Sequence, residues 1–149
     1  MPDGELERRI SELEAERAIA DLIHEYARLV RRDMPDRVSA LFTADGTFEI
    51  RDGHPDREEF AVRAKLESPQ ALHAYLAPGK GKPHPVPIIH NVMVEVDGES
   101  ATANALMEAQ VYGTQHKVSG EYRDTFRREG GRWLFASRIF TIYGAGSSV

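Results

Sequence analysis

The sequence has 149 residues, of which 41% are hydrophobic and 29% charged, and this is enough for one globular domain with its own core. Nineteen Lys and Arg stand against twenty-four Asp and Glu, and the formal charge of -5 argues against binding to a nucleic-acid backbone, which requires a basic surface. The absence of cysteine excludes disulfides, thiolate zinc sites and cysteine nucleophiles.

The N-terminal segment MPDGELERRISELEAERA is charged throughout, and no apolar run approaches the roughly 20 residues that cross a membrane. A chain without cysteine also suits a reducing compartment. We therefore expect a cytoplasmic protein that has neither a membrane nor a nucleic acid as partner.

Helical spacing of apolar residues predicts a long first helix at 5–32, a stretch without proline or glycine. Its apolar stripe includes Ala18, Leu22, Tyr26 and Val30. Residues 1–14 carry fewer apolar side chains, so we expect a helical arm that projects or packs on another subunit. Pro35 then predicts the start of a short second helix, because a helix start tolerates proline.

The middle of the chain predicts one strand, a helical region and a loop. The TFEI run at 47–50 is the first predicted strand. Residues 56–76 are predicted to be helical. A new helix is predicted to begin within this stretch, because the Ser68 hydroxyl can cap a helix that has Pro69 in its first turn. Four prolines and two glycines in eleven residues make 77–87 a loop.

After this loop the apolar period becomes strand-like, and the turn signals DGES, YGTQH and EGGR divide the remainder. The predicted strands are 88–96, 101–112, 117–128 and 133–143. Such turns produce an antiparallel meander, and helices ahead of it predict an α+β fold in which the helices cover one sheet face. We expect a single domain at 1–149 with a flexible tail at 144–149.

The phrases YARLVRRDMPDRVSALFTADGTFEI, HNVMVEVDGESATANA and GEYRDTFRREGGRWLFASR occur in this order. Together they resemble the SnoaL-like branch of the nuclear transport factor 2-like superfamily, in particular members similar to scytalone dehydratase. The resemblance implies a cone-shaped barrel, in which a strongly curved, mainly antiparallel sheet is closed by the N-terminal helices around a pocket. It also implies a homodimer or homotrimer formed through the outer sheet face. The superfamily contains lyases, isomerases and binding modules, so the fold alone does not name an activity.

His90 matches the histidine that opens the second strand of the dehydratase-like members, and the resemblance implies a general base that faces the pocket. Strand alternation would place Val92 on the same face. An imidazole changes protonation near neutral pH, which suits a general base. The alternative is a partly buried histidine that only hydrogen-bonds the backbone.

The aspartate that orients this histidine in the catalytic members falls on Arg31 here, so the histidine and carboxylate dyad is incomplete. Asp124 or Glu108 could supply the carboxylate from a neighbouring strand, or Asp33 could reach in from the helix end. Arg31 could instead act as an electrophilic clamp on an enolate or carboxylate. A solvent-facing Arg31 is the alternative.

Two tyrosines are further candidates, because a phenolic hydroxyl can hold a substrate oxygen. Tyr122 falls where the dehydratase-like members place a pocket-lining polar residue, and Tyr26 lies on the apolar face of the first helix, where core packing also explains it. The residues expected to contact a ligand are Phe48, Ile50, Leu72, Val92, Leu106, Asp124 and Phe140. Core packing explains the apolar ones equally well.

The remaining charged residues suggest no further chemistry. The histidines do not have the compact spacing of metal ligands, so we expect neither a metal nor another cofactor. Five arginines interleaved with acidic residues are expected at a solvated edge or subunit contact. They are Arg123, Arg127, Arg128, Arg132 and Arg138.

Two functions therefore stay open. The first is a lyase or isomerase that removes a proton adjacent to a carbonyl of a hydrophobic cyclic substrate, such as a polyketide, phenolic or steroid-like compound. His90 would be the base, and Tyr122, Tyr26 and Arg31 would stabilise the oxyanion. The second is a non-catalytic module that binds a small ligand or assembles with another protein, which the missing aspartate favours.

Overall fold

The structure of the protein is a computed structural model that describes residues 3–143. The helices are α1 (Asp3–Arg31), α2 (Pro35–Ser39) and α3 (Pro69–Leu76), and a 3-10 helix at Ala77–Gly79 follows α3. The strands are β1 (Phe42–Gly53), β2 (Ala61–Leu66), β3 (Pro85–Asp97), β4 (Ser100–Val111), β5 (Lys117–Glu129) and β6 (Arg132–Tyr143). The tail predicted at 144–149 lies outside the described residues.

One face of α1 forms the helical wall of the core. Ile19, Ile23 and Tyr26 are buried, and their spacing of three or four residues places them on one side of the helix. The predicted N-terminal arm is helical, and its large apolar side chains are exposed. These are Leu6, Ile10 and Leu13. Packing of the arm on another subunit stays a prediction.

The six strands form one sheet in the order β2-β1-β6-β5-β4-β3. Neighbouring strands are antiparallel except β1 and β6, which run parallel. The inward side chains of all six strands meet those of α1 in a single hydrophobic core. A strongly curved sheet closed by N-terminal helices is the predicted α+β cone, and the prediction is confirmed.

Several local predictions are also confirmed. The Ser68 hydroxyl accepts a hydrogen bond from the backbone N–H of Ala71 at 3.0 Å, and Pro69 occupies the first turn of α3. A short helix begins at Pro35. The strands β3 to β6 follow the four predicted C-terminal strands to within a few residues.

Three local predictions differ from the structure. The first strand is longer than the predicted 47–50, since β1 spans Phe42–Gly53. Residues 61–66 form a strand rather than part of a helix, because antiparallel pairing with β1 packs Ala64 and Leu66 against the core. The predicted loop at 77–87 is shorter, since a 3-10 helix occupies its start and β3 already begins at Pro85. β3 tolerates prolines because it is an edge strand.

A β-bulge in β3 decides which of its side chains face the core. The register with β4 shifts between His90 and Met93, so that two residues of β3 oppose one residue of β4. Asn91 lies in this bulge with a φ of 51°. The alternation reverses there, because Ile89 packs against the core before the bulge and Val92 packs against it afterwards. The prediction that His90 and Val92 share a face is therefore wrong.

A second register shift, between β5 and β6, turns Arg138 inward. Phe126 of β5 pairs with Phe135 of β6, whereas the preceding residue of β5 pairs with Ser137. β6 thus contains one additional residue at this point. Phe135 and Arg138 are three positions apart and would face opposite sides of a regular strand, yet both are fully buried.

Candidate functional site

Four buried side chains with polar groups, contributed by three elements, lie close together in the interior of the cone. Tyr26 comes from α1, Tyr122 and Asp124 from β5, and Arg138 from β6. Tyr122 and Asp124 are two positions apart and therefore share the inward face of β5. Asp124 lies directly opposite Arg138 in the pairing of β5 with β6. We call these four residues the interior cluster.

An ion pair lies at the centre of the interior cluster. Arg138 Nε is 3.0 Å from Asp124 Oδ1, and both side chains have no exposed surface. The guanidinium carbon lies 3.5 Å from the ring centre of Tyr122 and 4.1 Å from that of Tyr26. Aromatic faces attract a cation electrostatically, so the two rings stabilise the buried guanidinium.

The polar atoms of this pair have unused hydrogen-bonding capacity. Within the described chain, neither carboxylate oxygen of Asp124 and none of the three guanidinium nitrogens of Arg138 makes a hydrogen bond. The 3.0 Å contact between Arg138 Nε and Asp124 Oδ1 is an ion pair. Buried polar groups are nearly always hydrogen-bonded, so a cluster with five such atoms is suited to bind a polar group of a ligand.

Burial changes the proton affinities within the interior cluster. It raises the pKa of Asp124 to about 6, because the loss of hydration outweighs the attraction of Arg138. Burial also raises the pKa of Tyr122 and of Tyr26, so both hydroxyls keep their protons. Near neutral pH the cluster therefore combines a carboxylate that can accept a proton, a cation and two hydroxyl donors.

Aromatic and aliphatic side chains surround the interior cluster. Tyr26 stacks on Phe48 with 6.2 Å between ring centres, and Tyr122 contacts the ring of Phe140 at 4.9 Å. The predicted ligand-contacting residues that belong to or pack against this core are Phe48, Ile50, Leu72, Val92, Asp124 and Phe140. Their contact with a ligand stays a prediction, since core packing accounts for the apolar ones.

His90 does not belong to the interior cluster. Its side chain is 44% exposed on the outer sheet face, where Nε2 lies 3.2 Å from Oε2 of Glu108, one of the carboxylates proposed as its partner. Leu106 pairs with His90 across β3 and β4 and is 36% exposed, so its predicted place inside the cone is wrong. Strand alternation explains this, because the neighbouring Ala105 and Met107 face the core.

Arg31 also lies outside the cone. It is exposed at the end of α1 and lines a surface groove together with Arg28 and Pro87. Five residues after the inward-facing Tyr26, it lies about 140° around the helix axis. The prediction that it reaches the pocket is wrong, and the solvent-facing alternative holds.

The sequence reasoning missed Arg138, which it placed with four other arginines at a solvated edge or subunit contact. Three of its four neighbours in the segment ASRIF are apolar, a weak signal that this arginine is buried. The additional residue in β6 hides the signal, because regular alternation would place Arg138 and Phe135 on opposite faces.

Residues 3–143 contain no group of three or more His, Asp or Glu side chains close enough together to hold a metal ion. Over the same residues no helix has both the length and the apolar character required to cross a bilayer. The expectations of no cofactor and of a cytoplasmic location stay predictions.

Comparisons with known proteins support the predicted resemblance. The family described as the SnoaL-like domain matches the sequence over residues 11–139. No curated protein matches the sequence. An NTF2-like protein with a cystatin-like fold from Novosphingobium aromaticivorans is 22% identical, with 95% of this chain and 90% of that chain covered and a TM-score of 0.74.

Two further structures from Novosphingobium aromaticivorans share the fold. The beta subunit of a candidate aromatic-ring-hydroxylating dioxygenase is 19% identical, with 88% of this chain and 90% of that chain covered and a TM-score of 0.73. A candidate scytalone dehydratase is 20% identical, with 87% of this chain and 85% of that chain covered and a TM-score of 0.66. Likeness at this level of identity shows the fold alone.

Proposed function

The chain belongs to the SnoaL-like family, and we propose that it is a cofactor-independent lyase or isomerase whose reaction takes place at the interior cluster. The observation that carries the proposal is the fully buried pair of Asp124 and Arg138, whose polar atoms make no hydrogen bonds within residues 3–143. A buried ion pair is seldom the most stable choice for a core, so its chemistry is the better reason for its presence.

Asp124 replaces His90 as the proposed base, because His90 lies on the outer face. The Asp124 carboxylate takes a proton from a carbon adjacent to a carbonyl, and the electron pair of that C–H bond moves onto the carbonyl oxygen to form an enolate. Arg138 stabilises this oxygen by its charge, and the hydroxyl of Tyr122 or Tyr26 donates a hydrogen bond to it.

The second half-reaction returns the proton from Asp124. In an isomerase the proton goes to a different carbon of the same molecule. In a dehydratase it goes to a hydroxyl on the next carbon, which leaves as water when the enolate collapses to an unsaturated ketone. Both outcomes balance without an oxidant, a reductant or a metal, so residues of the chain supply every group that the step uses.

The walls of the interior favour a hydrophobic cyclic substrate. Phe48 and Phe140 contact the two tyrosine rings, and Ile50 and Leu72 belong to the same core. Flat apolar walls suit a ring compound such as a polyketide, phenolic or steroid-like ketone. Because these side chains are packed, access for the substrate requires that some of them move, and the partly buried Phe140 is the one we expect to do so.

The test measures proton abstraction without knowledge of the product. Cyclic ketones and hydroxyketones are incubated with the protein in D₂O, and exchange of the protons next to the carbonyl is followed by NMR. We expect the wild type to accelerate exchange and Asp124→Asn to abolish the acceleration, with circular dichroism confirming the fold. Asp56→Asn, which alters a carboxylate that is 87% exposed, is the matched control and should exchange like the wild type.

Two results would count against the proposed base. One is acceleration that survives in Asp124→Asn. The other is acceleration that disappears in His90→Ala, which would return the role to the residue on the outer face.

A second candidate function, assembly through the outer sheet face, has its own supporting observation. Large apolar side chains are exposed there, with Met93 70% exposed and Ile88 59% exposed. We propose that this face forms the homodimer or homotrimer contact expected from the sequence. The molecular mass in solution is the property that tests it.

A further inference from the structure

A small apolar pocket lies apart from the interior cluster, where the end of α1 meets α2, α3 and the start of β3. Its volume is about 210 Å³. None of the four residues of the interior cluster lines it. The apolar lining residues are Val30, Met34, Pro35, Val38, Leu76 and Pro85. We call this space the α2–α3 pocket.

The size of the α2–α3 pocket limits its ligand to about one ring. Pockets for larger ligands usually exceed about 300 Å³. An apolar cavity of about 150 Å³ can hold benzene. A single six-membered ring with a small substituent therefore fits the space.

His84 supplies a directed polar atom in this apolar lining. Its Nδ1 lies 2.9 Å from the carbonyl oxygen of Lys82. A carbonyl oxygen only accepts hydrogen bonds, so Nδ1 carries the proton of the neutral ring and Nε2 is an acceptor. The Nε2 atom is buried and has no hydrogen-bond partner among residues 3–143. His84 thus adds to the lining residues an acceptor without a partner, which a ligand with a donor would satisfy.

The segment that carries His84 is tied to the end of α1. The carboxylate of Asp33, another lining residue, accepts a hydrogen bond from the backbone N–H of Gly81 at 2.6 Å. Asp33 has a φ of 59°, a conformation that aspartate adopts at a modest energetic cost. This tether connects residues 48 positions apart and holds the loop before β3 against the α2–α3 pocket.

We propose that the α2–α3 pocket binds a small phenol or cyclic alcohol, whose ring packs among the apolar residues and whose hydroxyl donates a hydrogen bond to His84 Nε2. The site is separate from the reaction proposed at the interior cluster. Ligand binding at the α2–α3 pocket requires no movement of the packed side chains around the interior cluster.

The test compares two probes that differ in one donor. Phenol has a hydroxyl, whereas in anisole a methyl group replaces its proton. Amide resonances of the full-length ¹⁵N-labelled protein are titrated with each probe. We expect phenol to shift the resonances of Val30, Met34 and Leu76 and to bind about fivefold more tightly than anisole, the factor that one neutral hydrogen bond supplies.

Three variants separate the hydrogen bond from the cavity. His84→Phe keeps the ring and removes the acceptor, so phenol should then bind no better than anisole. His116→Phe is the matched control at an exposed turn and should leave both affinities unchanged. Leu76→Phe fills the cavity and should weaken both probes. This third variant keeps the proposal testable if His84→Phe does not fold.

The proposal is overturned by equal affinities for phenol and anisole in the wild type, or by no binding of either probe at millimolar concentration. Shifts confined to interior residues such as Gly120 and Tyr122 would also overturn it. Because the two sites have separate resonances, failure here does not affect the reaction proposed at the interior cluster.

Discussion

At the scale of single residues, the pair of Asp124 and Arg138 is an unusual component of a protein core. Two charges lose their hydration on burial, and their mutual attraction compensates for this loss only when hydrogen bonds satisfy the remaining polar atoms. Here these bonds are missing within the described residues. The raised pKa of Asp124 is the measurable consequence.

The first residue-scale prediction concerns pH. Folded Asp124 holds its proton up to about pH 6, whereas the unfolded chain releases it near 3.8. Between these values the folded state binds more protons, so this residue lowers the free energy of unfolding by about 2 kcal/mol as the pH rises from 4 to 6. Urea unfolding of wild type and Asp124→Asn across this range measures the effect. If the free energies of unfolding of the two proteins change with pH in the same way, the attraction of Arg138 fully compensates the burial of Asp124.

The second residue-scale prediction separates stability from function. Arg138→Met leaves Asp124 buried without its cation, and we expect a loss of about 3–5 kcal/mol in the free energy of unfolding at pH 7. The double variant Asp124→Leu, Arg138→Met should recover most of this loss while remaining inactive in the exchange assay. Urea unfolding measures the stability of both variants. A double variant as unstable as Arg138→Met would contradict the expected recovery.

At the scale of elements, two additional residues in strands decide the chemistry of both sheet faces. The bulge in β3 places His90 outside, and the shift in β6 places Arg138 inside. Each bulge changes the local alternation by one position, which is enough to move every following side chain to the other face.

The element-scale prediction tests the bulge of β3. Asn91 has a φ of 51°, where a β-branched side chain is strained. Asn91→Val should lower the free energy of unfolding by about 1–2 kcal/mol, whereas Asn91→Gly should leave it nearly unchanged. Glu95→Val, at an exposed position of the same strand, is the control for the added valine. Equal stabilities of the two Asn91 variants would argue against the left-handed conformation.

At the scale of the whole molecule, the outer face of the sheet is the surface available for assembly. Its exposed methionine and isoleucine lie on the same side of β3 as His90 and Glu95. An apolar patch rimmed by charged side chains is typical of contacts between proteins.

The whole-molecule prediction concerns mass in solution. We expect two or three times the 16.7 kDa of the chain by light scattering. Met93→Asp introduces a charge into the proposed contact and should produce a monomer. Val62→Asp, at an exposed apolar residue of β2, should keep the wild-type mass. A monomeric wild type, or an unchanged mass in Met93→Asp, would contradict assembly through this face.

Much of the fold was predictable because it depends on local signals. The apolar period of α1, the hydroxyl of Ser68 before a proline and the glycine turns between β3 and β6 each act within a few residues. The strand at 61–66 was not predictable in this way. Its pairing with β1 is a long-range interaction that overrides local preference.

The candidate site was predictable only in part. Tyr26 follows the regular helical period of α1, Tyr122 and Asp124 follow the regular alternation of β5, and the structure brings the three together. His90 directly precedes a bulge and Arg138 follows one, so a count that assumes regular strands assigns their faces incorrectly.

The sequence by itself determined the family resemblance, the α+β class and most of the element order, because composition, periodicity and turn residues are properties of short stretches. Only the tertiary structure decided which charged side chains are enclosed. Enclosure depends on strand register, and register is the sum of all pairings across the sheet rather than a property of any one strand.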